Sequence, residues 1–341
     1  MSDKSIEVSI DGKWTTVPMQ EVDGRPIIVS GRWIRMAAIH DEEWMETGID
    51  DPELYVNSLR AKGPVGLGAD IFTFTQKLSA TRPNFDYPFG WDSIAVIRLN
   101  GFQDWWDKLP QETRKNVRRS AKRGVTVRVR EFDEELIKEI AGVNNDSPVR
   151  QARPNKHYGK SLEQVKKDEK SFVDRSDFIC AYRDDEMIGF VKVVYMGRTA
   201  SILNLASKVS QLDSRPANAL LAKTVEVCVA KGISHLTYGM FNYGNKRDSP
   251  LRQFKTRNGF EEILMPRFYV SLTIKGGLCM KLGLHRGLLG ILPHSIITLA
   301  VNGRAKWYSL KNSISRCSSM VEHPNRNRKM VCSNPPAGSK T

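Results

Sequence analysis

Two basic stretches hold the side chains best suited to chemistry in this 341-residue chain. From Arg114 the sequence reads RKNVRRSAKRG, and six of its first ten residues are basic. Arg114, Lys115, Arg118, Arg119, Lys122 and Arg123 are interrupted by no acidic residue. On a helix, Val117 and Ala121 lie one turn apart and can dock that face on a sheet, which leaves the cations on the flanks. Such flanks can cradle phosphates or RNA, although a solvated helix face would carry the same residues. The second stretch, SPVRQARPNKHYGK (147–160), has two prolines and a glycine and reads as a loop. A loop with Arg150, Arg153, Lys156, His157, Tyr158 and Lys160 belongs on a surface or along a cleft, where it can bind substrate or an anion. His157 is a candidate base by residue type, since imidazole titrates near neutral pH; a structural or exposed histidine is the other reading.

The whole chain is basic, with a formal net charge of +14, and a basic body attracts cofactor phosphates, RNA or anionic lipid heads. A hydrophobic content of 40% supports a packed core. The five cysteines form no CxxC pair or other tight ligand spacing, so neither a disulfide framework nor a metal is expected, and a reducing, cytoplasmic setting fits. The first residues alternate polar and apolar side chains unlike a signal peptide, and no apolar run reaches 18 residues.

The elements that must position these residues follow from periodicity. An opening hairpin turns at Asp11-Gly12, further strands fit 26–29, 33–39, 70–74 and 93–99, and a short helix fits 52–59. A longer helix over 103–123 is open to a break at Pro110 and stops at Gly124; a strand over 125–129 and helices over 132–140 and 162–172 follow. The clearest pattern comes next: strands at 178–182, 187–195 and 199–205, with a charged turn between the first two. A helix spans 216–231, with Leu220, Leu221, Val225, Cys228 and Val229 at helical spacing and Gly232 as its stop. A strand at 235–241, a helix at 249–257 and a pair of strands at 260–264 and 268–272 complete it.

In order and spacing, FICAYRDDEMIGFVKVVY, ASILNLAS, RPANALLAKTVEVCVAKGISHLTYG and FKTRNGFEEI resemble the core of GNAT-like acyltransferases. The resemblance implies an α/β fold: a mixed, mostly antiparallel sheet with flanking helices. Two central strands splay apart, so that an acyl donor completes their hydrogen bonding and an amine attacks its carbonyl. The donor would lie along Leu205 and Ser207 and reach the helix start at Arg215, Ala217 and Asn218, where unpaired N–H groups and the dipole favour anions and Arg215 can add a phosphate contact. Asn204 would polarise the acyl carbonyl, and Tyr238 and Tyr243 would protonate a leaving group. Two departures stand out. The segment QLDSRPAN (211–218) lacks the family's glycines, and Lys255 stands where a tyrosine acid is common. Both features resemble FemAB-like transferases, which carry two GNAT-like halves and often use aminoacyl-tRNA. Their Phe-Lys pair is similar to Phe254-Lys255, and it implies that Lys255 stabilises a developing oxyanion. The run beginning at Arg114 resembles a FemAB-like segment as well.

The expected function is N-acyl transfer from acetyl-CoA or another acyl-CoA to an amine, with no metal. The first alternative is FemAB-like transfer from aminoacyl-tRNA to a cell-wall precursor. The second alternative is a non-catalytic, basic RNA- or membrane-binding module. The acceptor would be a small-molecule or cell-envelope amine. The expected organisation is a first GNAT-like half over 1–130 that sets acceptor specificity, a catalytic half over 131–275, a helical extension over 276–312 and a disordered tail over 313–341. The extension is apolar and basic, so it either packs on the body or makes a peripheral membrane contact through 276–310. In the tail, CSSMVEH (317–323) can be encoded by a string containing AGCTCAATGGTAGAGC, which resembles the D-arm of a transfer-RNA gene. CSNP (332–335) can be encoded like a T-arm. The tail therefore reads as translation through a neighbouring transfer-RNA gene.

Overall fold

A computed structural model describes residues 4–10, 13–61, 67–78, 80–150, 153–242 and 249–286. The chain opens with strands β1 (Lys4–Ile10), β2 (Lys13–Val22), β3 (Arg25–Ser30) and β4 (Met36–Ile39); helix α1 (Pro52–Ala61) crosses to β5 (Ile71–Thr75), and β6 (Phe89–Arg98) follows. Helices α2 (Phe102–Lys108) and α3 (Gln111–Lys122) are separated at Pro110, which cannot donate into a helix interior. Strand β7 (Thr126–Arg130) and α4 (Glu134–Asn145) come next, then a small hairpin, β8 (Val149–Arg150) with β9 (Arg153–Pro154), and α5 (Leu162–Glu169). The remaining elements are β10 (Ser176–Arg183), β11 (Glu186–Met196), β12 (Thr199–Ser207), α6 (Pro216–Ala230), β13 (His235–Met240), α7 (Pro250–Arg257), β14 (Glu261–Ser271) and α8 (Ile274–Lys281). Local chemistry explains several boundaries. Asp133 caps α4 by accepting from the Leu136 N–H, and Ser161 and Gln164 form a reciprocal capping box on α5. Asp184 and Asp185, at φ 50° and 62°, make the tight turn between β10 and β11.

Twelve strands form one sheet in the order β1-β2-β3-β4-β5-β14-β6-β13-β12-β11-β10-β7. Two neighbouring pairs are parallel, β4 with β5 and β12 with β13, and each is joined by a crossover helix, α1 or α6. All other pairings are antiparallel, so the sheet is mixed and mostly antiparallel, as the GNAT resemblance implies. The strand that follows each parallel pair is exchanged: β6 follows β5 but lies beside β13, and β14 follows β13 but lies beside β5. Side chains along β10 and β11 alternate between two cores. Ile179, Ile188 and Val191 face a core shared with α2 and α6, whereas Phe178, Cys180 and Phe190 face one shared with α4 and α5. Leu220, Leu221, Val225 and Cys228 of α6 are fully buried, and each large apolar side chain buried this way contributes about 1.5–3 kcal/mol. A third, aromatic core joins Tyr55, Phe72, Phe74 and Phe268.

Several expectations are corrected. Ala121 is exposed, and the buried line of α3 is Thr113 and Ser120 with half-buried Val117, because α3 rests on α6 rather than on the sheet. The two strands expected at 260–264 and 268–272 are one strand. The Pro266 carbonyl accepts from the Gln76 N–H, so the N–H that proline lacks would point past the end of β5 and pairing with β6 is undisturbed. Helix α5 ends at Glu169 rather than at 172, and Phe172, at a left-handed φ of 56°, opens the next 3₁₀ turn. Ile274, Leu278 and Leu282 on and just after α8 are exposed. The rest of the expected extension and the whole tail lie outside the described residues. No described helix is long and apolar enough to cross a membrane.

Candidate active site

The parallel strands β12 and β13 pair only from Thr199 to Ser201 and from His235 to Thr237. Beyond that point they part. Strand β12 stays on β11 as far as Ser207 opposite Gly189, with a bulge where Lys192 faces Asn204 and Val193 faces Ile202. Strand β13 has its own irregularity between Thr237 and Met240, where Gly239 adopts φ 52°. Among the described residues, no strand therefore lies beside the β13-facing edge of residues 202–207. This edge ends at Ser207, whose Oγ is buried and has no hydrogen-bond partner among the described residues, the kind of orphan that a bound group satisfies. Gly189 keeps this end open, since a Cβ there would lie 2.8 Å from the Ala206 carbonyl oxygen and 3.0 Å from the Ser207 Oγ.

Lys255 stands on the other flank of the opening. It is fully buried, and its Nζ donates to the Tyr238 carbonyl at 2.5 Å and the Met240 carbonyl at 2.6 Å. The turn of the chain at Gly239 is what lets both carbonyls face one ammonium. The same nitrogen lies 4.5 Å from the centre of the Tyr238 ring. Burial lowers the Lys255 pKa to about 8 from an ordinary 10.5, which leaves a protonated and weakly solvated cation at neutral pH. Tyr238 itself packs against Phe260 at 5.9 Å.

The start of α6 differs from a glycine-lined phosphate loop. Residues Val209–Ser214 form a 3₁₀ turn, secured by Arg183 to the Gln211 and Ser214 side chains and by Arg123 to the Asp213 carbonyl at 2.5 Å. Arg215 is exposed, with φ 57°. Pro216 has no N–H, and the N–H groups of Asn218 and Ala219 turn back to the Arg215 carbonyl. The Asn218 side chain donates to Asn258 at 3.2 Å. Ala217 is left as the donor of this first turn.

On the face opposite α6, the structure joins Asn204 to two residues that the sequence reading missed, Glu169 and Lys192. Asn204 Nδ2 donates to Glu169 Oε1 at 3.2 Å. Lys192, fully buried, donates to the Glu169 and Ser171 carbonyls at 2.5 and 2.6 Å, and its Nζ lies 4.0 Å from Glu169 Oε2. Burial raises the Glu169 pKa and lowers that of Lys192 to about 8, and each partner's charge limits the other's shift. A charge in the middle of the apolar run GFVKVV was the available signal for Lys192.

The remaining candidates lie elsewhere on the surface. His157 is 4.0 Å from Asp168, which also binds Lys160 at 2.5 Å and the Trp14 indole at 3.0 Å. Burial and the nearby Lys160 and Lys156 lower its pKa, so it is neutral at pH 7. Arg150 donates to the Val143 carbonyl at 2.6 Å, and Tyr158 is half exposed. The backbone of Arg153 pairs with Arg150. On α3, Lys115, Arg118, Arg119 and Lys122 are exposed and Arg114 half-buried, and Arg118 lies over the Trp106 ring at 5.7 Å. Tyr243 lies outside the described residues. No three described His, Cys, Asp or Glu side chains come together as a metal site requires.

No family model and no curated protein matches the sequence. Solved structures do share the fold. FemX is 10% identical over 82% of this chain and 90% of its own, with a TM-score of 0.54. The C-terminal domain of a putative lysylphosphatidylglycerol synthetase from Agrobacterium fabrum is 15% identical over 78% and 87%, with a TM-score of 0.52. L-PGS from Bacillus licheniformis is 15% identical over 81% and 90%, with a TM-score of 0.51. At such identities the likeness is one of architecture, a FemAB-like GNAT fold.

Proposed function

We propose that this chain is an acyl- or aminoacyltransferase that seats an activated carboxyl group between β12 and β13 and passes it to an amine. The observation that carries the reading is the parting of two parallel strands, with an unpaired β12 edge ending at the orphan Ser207 Oγ and a buried ammonium on the opposite flank. The donor supplies the activated carbonyl. The backbone at Leu205 and Ser207 would hold its chain along the strand edge. The Lys255 charge, in a site sheltered from water, would stabilise negative charge that develops on the carbonyl oxygen. As the amine nitrogen bonds to the carbonyl carbon, the bond from that carbon to the carrier breaks and the carrier atom takes up a proton. Glu169, one hydrogen bond from β12 and with a raised pKa, is suited to accept the proton that the amine loses.

Between the two donor classes, the start of α6 favours aminoacyl-tRNA. Its glycine-free turn offers the Ala217 N–H alone to a pyrophosphate, whereas exposed Arg215 and the basic face of α3 suit RNA phosphates. One fold neighbour is the C-terminal domain of a putative lysylphosphatidylglycerol synthetase, a name that speaks of an aminoacyl group but not of its carrier. A coenzyme A thioester is the second reading, favoured by the length of open β12 edge available to an extended arm. The test is donor consumption: bulk tRNA charged with labelled amino acids, or labelled acetyl-CoA, is incubated with the protein and a mixture of amines. Charged tRNA should lose its label at least about tenfold faster than without protein, and Lys255→Met should abolish the excess. If neither donor is consumed above background, the reading is wrong.

A further inference from the structure

A cavity of about 360 Å³ opens on β13 at Thr237, Gly239 and Met240, beside the carbonyls that hold Lys255. Four methionines, Met45, Met196, Met240 and Met265, supply much of its apolar wall. Methionine walls adapt to flexible chains rather than to one rigid shape. The charged part of the wall has two components. One is closed on itself: Arg267 bonds Asp92 at 2.6 Å and Glu42 at 3.2 Å, the Thr75 N–H also donates to Glu42 at 2.7 Å, and Lys77 donates to the Glu42 carbonyl at 2.5 Å. Two carboxylates and two cations balance there. The other component is Glu43 and Glu46, which line the cavity and have no hydrogen bond or ion pair among the described residues; burial raises the Glu43 pKa although the Arg267 and Lys77 charges reach it, so with Glu42 and Asp92 the wall holds four carboxylates against two cations. Glu46 is brought in by the bend between β11 and β12: a Cβ on Gly197, at φ 54°, would collide with its carboxylate. A net-negative wall is out of character for a chain of net charge +14, and the same cavity reaches Gly239 and Met240, next to the carbonyls that hold Lys255.

We infer that the acyl acceptor is a diamine-like cation, bound in this cavity with one ammonium between Glu43 and Glu46 and its apolar stem along the methionines, so that the second amine reaches Gly239. This inference rests on the transfer reading for the word acceptor; the binding site itself does not. The size and lining suit an alkyl chain of a few carbons with an amine at each end, an α,ω-diamine, and exclude an anionic acceptor. A net-negative wall is what a cation site needs, because charge complementarity selects the partner.

Cadaverine is the probe, with pentylamine and pentanoate as comparisons, titrated calorimetrically into the full-length protein without any donor. Cadaverine should bind more tightly than pentylamine, and pentanoate should not bind. Glu43→Gln with Glu46→Gln should weaken cadaverine about tenfold or more with little change in melting temperature, since neither carboxylate makes a hydrogen bond or ion pair among the described residues. Glu226→Gln, on α6, should leave it unaltered. Equal binding of cadaverine and pentanoate, or full affinity in the double variant, would overturn the inference. Donor consumption without cadaverine binding would remove this acceptor and leave the transferase reading intact. Cadaverine binding without donor consumption would do the reverse.

Discussion

Replacing Lys255 with methionine isolates the charge at the proposed site, because the stem stays and the ammonium goes. Two effects oppose each other at pH 7. The variant loses two ammonium–carbonyl bonds, at 2.5 and 2.6 Å, each worth about 1.5–3 kcal/mol. It is also relieved of burying a cation. The shift from 10.5 to about 8 corresponds to about 3 kcal/mol against the charged form. The net change at neutral pH should therefore stay within about 3 kcal/mol. The pH dependence is sharper. A lysine with a lowered folded pKa leaves the unfolded chain binding the extra proton between pH 8 and 10.5, so wild-type stability rises with pH across that window. Urea unfolding of both proteins from pH 7 to 10.5 should show the wild-type advantage growing by about 3 kcal/mol. Lys77 and Lys192 titrate in both proteins and cancel from the difference. A difference that stays flat to within about 0.5 kcal/mol would show that the ammonium is not desolvated and would refute the reasoning.

Two further outcomes are expected. Lys192→Met removes the main cation beside buried Glu169, leaving the weaker attraction of Lys160, and should cost about 3–5 kcal/mol in urea unfolding, most of it recovered when Glu169→Gln is added; equal losses in the single and double variants would contradict the coupling. Arg118→Gln with Arg119→Gln, both on the exposed face of α3, should weaken tRNA binding and flatten the plot of log affinity against log salt by about one unit for each phosphate that is no longer neutralised. An unchanged slope would take the RNA off that helix.

Local chemistry was legible in the sequence where it acts on neighbours in the chain. The turn at Asp184-Asp185, the break at Pro110, the α6 start at Pro216 and the left-handed stop at Gly232 all follow from the conformational limits of those residues. Lys255 was legible only through the family resemblance, because nothing within a few residues of it distinguishes it from a surface lysine. The exchange of β6 and β14 was not legible, since strand partners are set by packing across the sheet rather than by spacing. The same holds for Glu169 and Lys192, which are 23 residues apart and meet only when α5 lies over β11. Ala121 departs from its expected burial because helical periodicity gives the angle of a face but not the identity of what covers it, here α6.

The opening between β12 and β13 is tested most directly by amide hydrogen exchange, followed strand by strand with and without charged tRNA. Amides at 199–201 and 235–237 should be protected throughout, as both strands are paired there. Amides on the exposed edge of 202–207 should exchange early in the free protein and slow when the donor is added. Protection running evenly along both strands without donor, or early exchange that the donor leaves unchanged, would contradict the account.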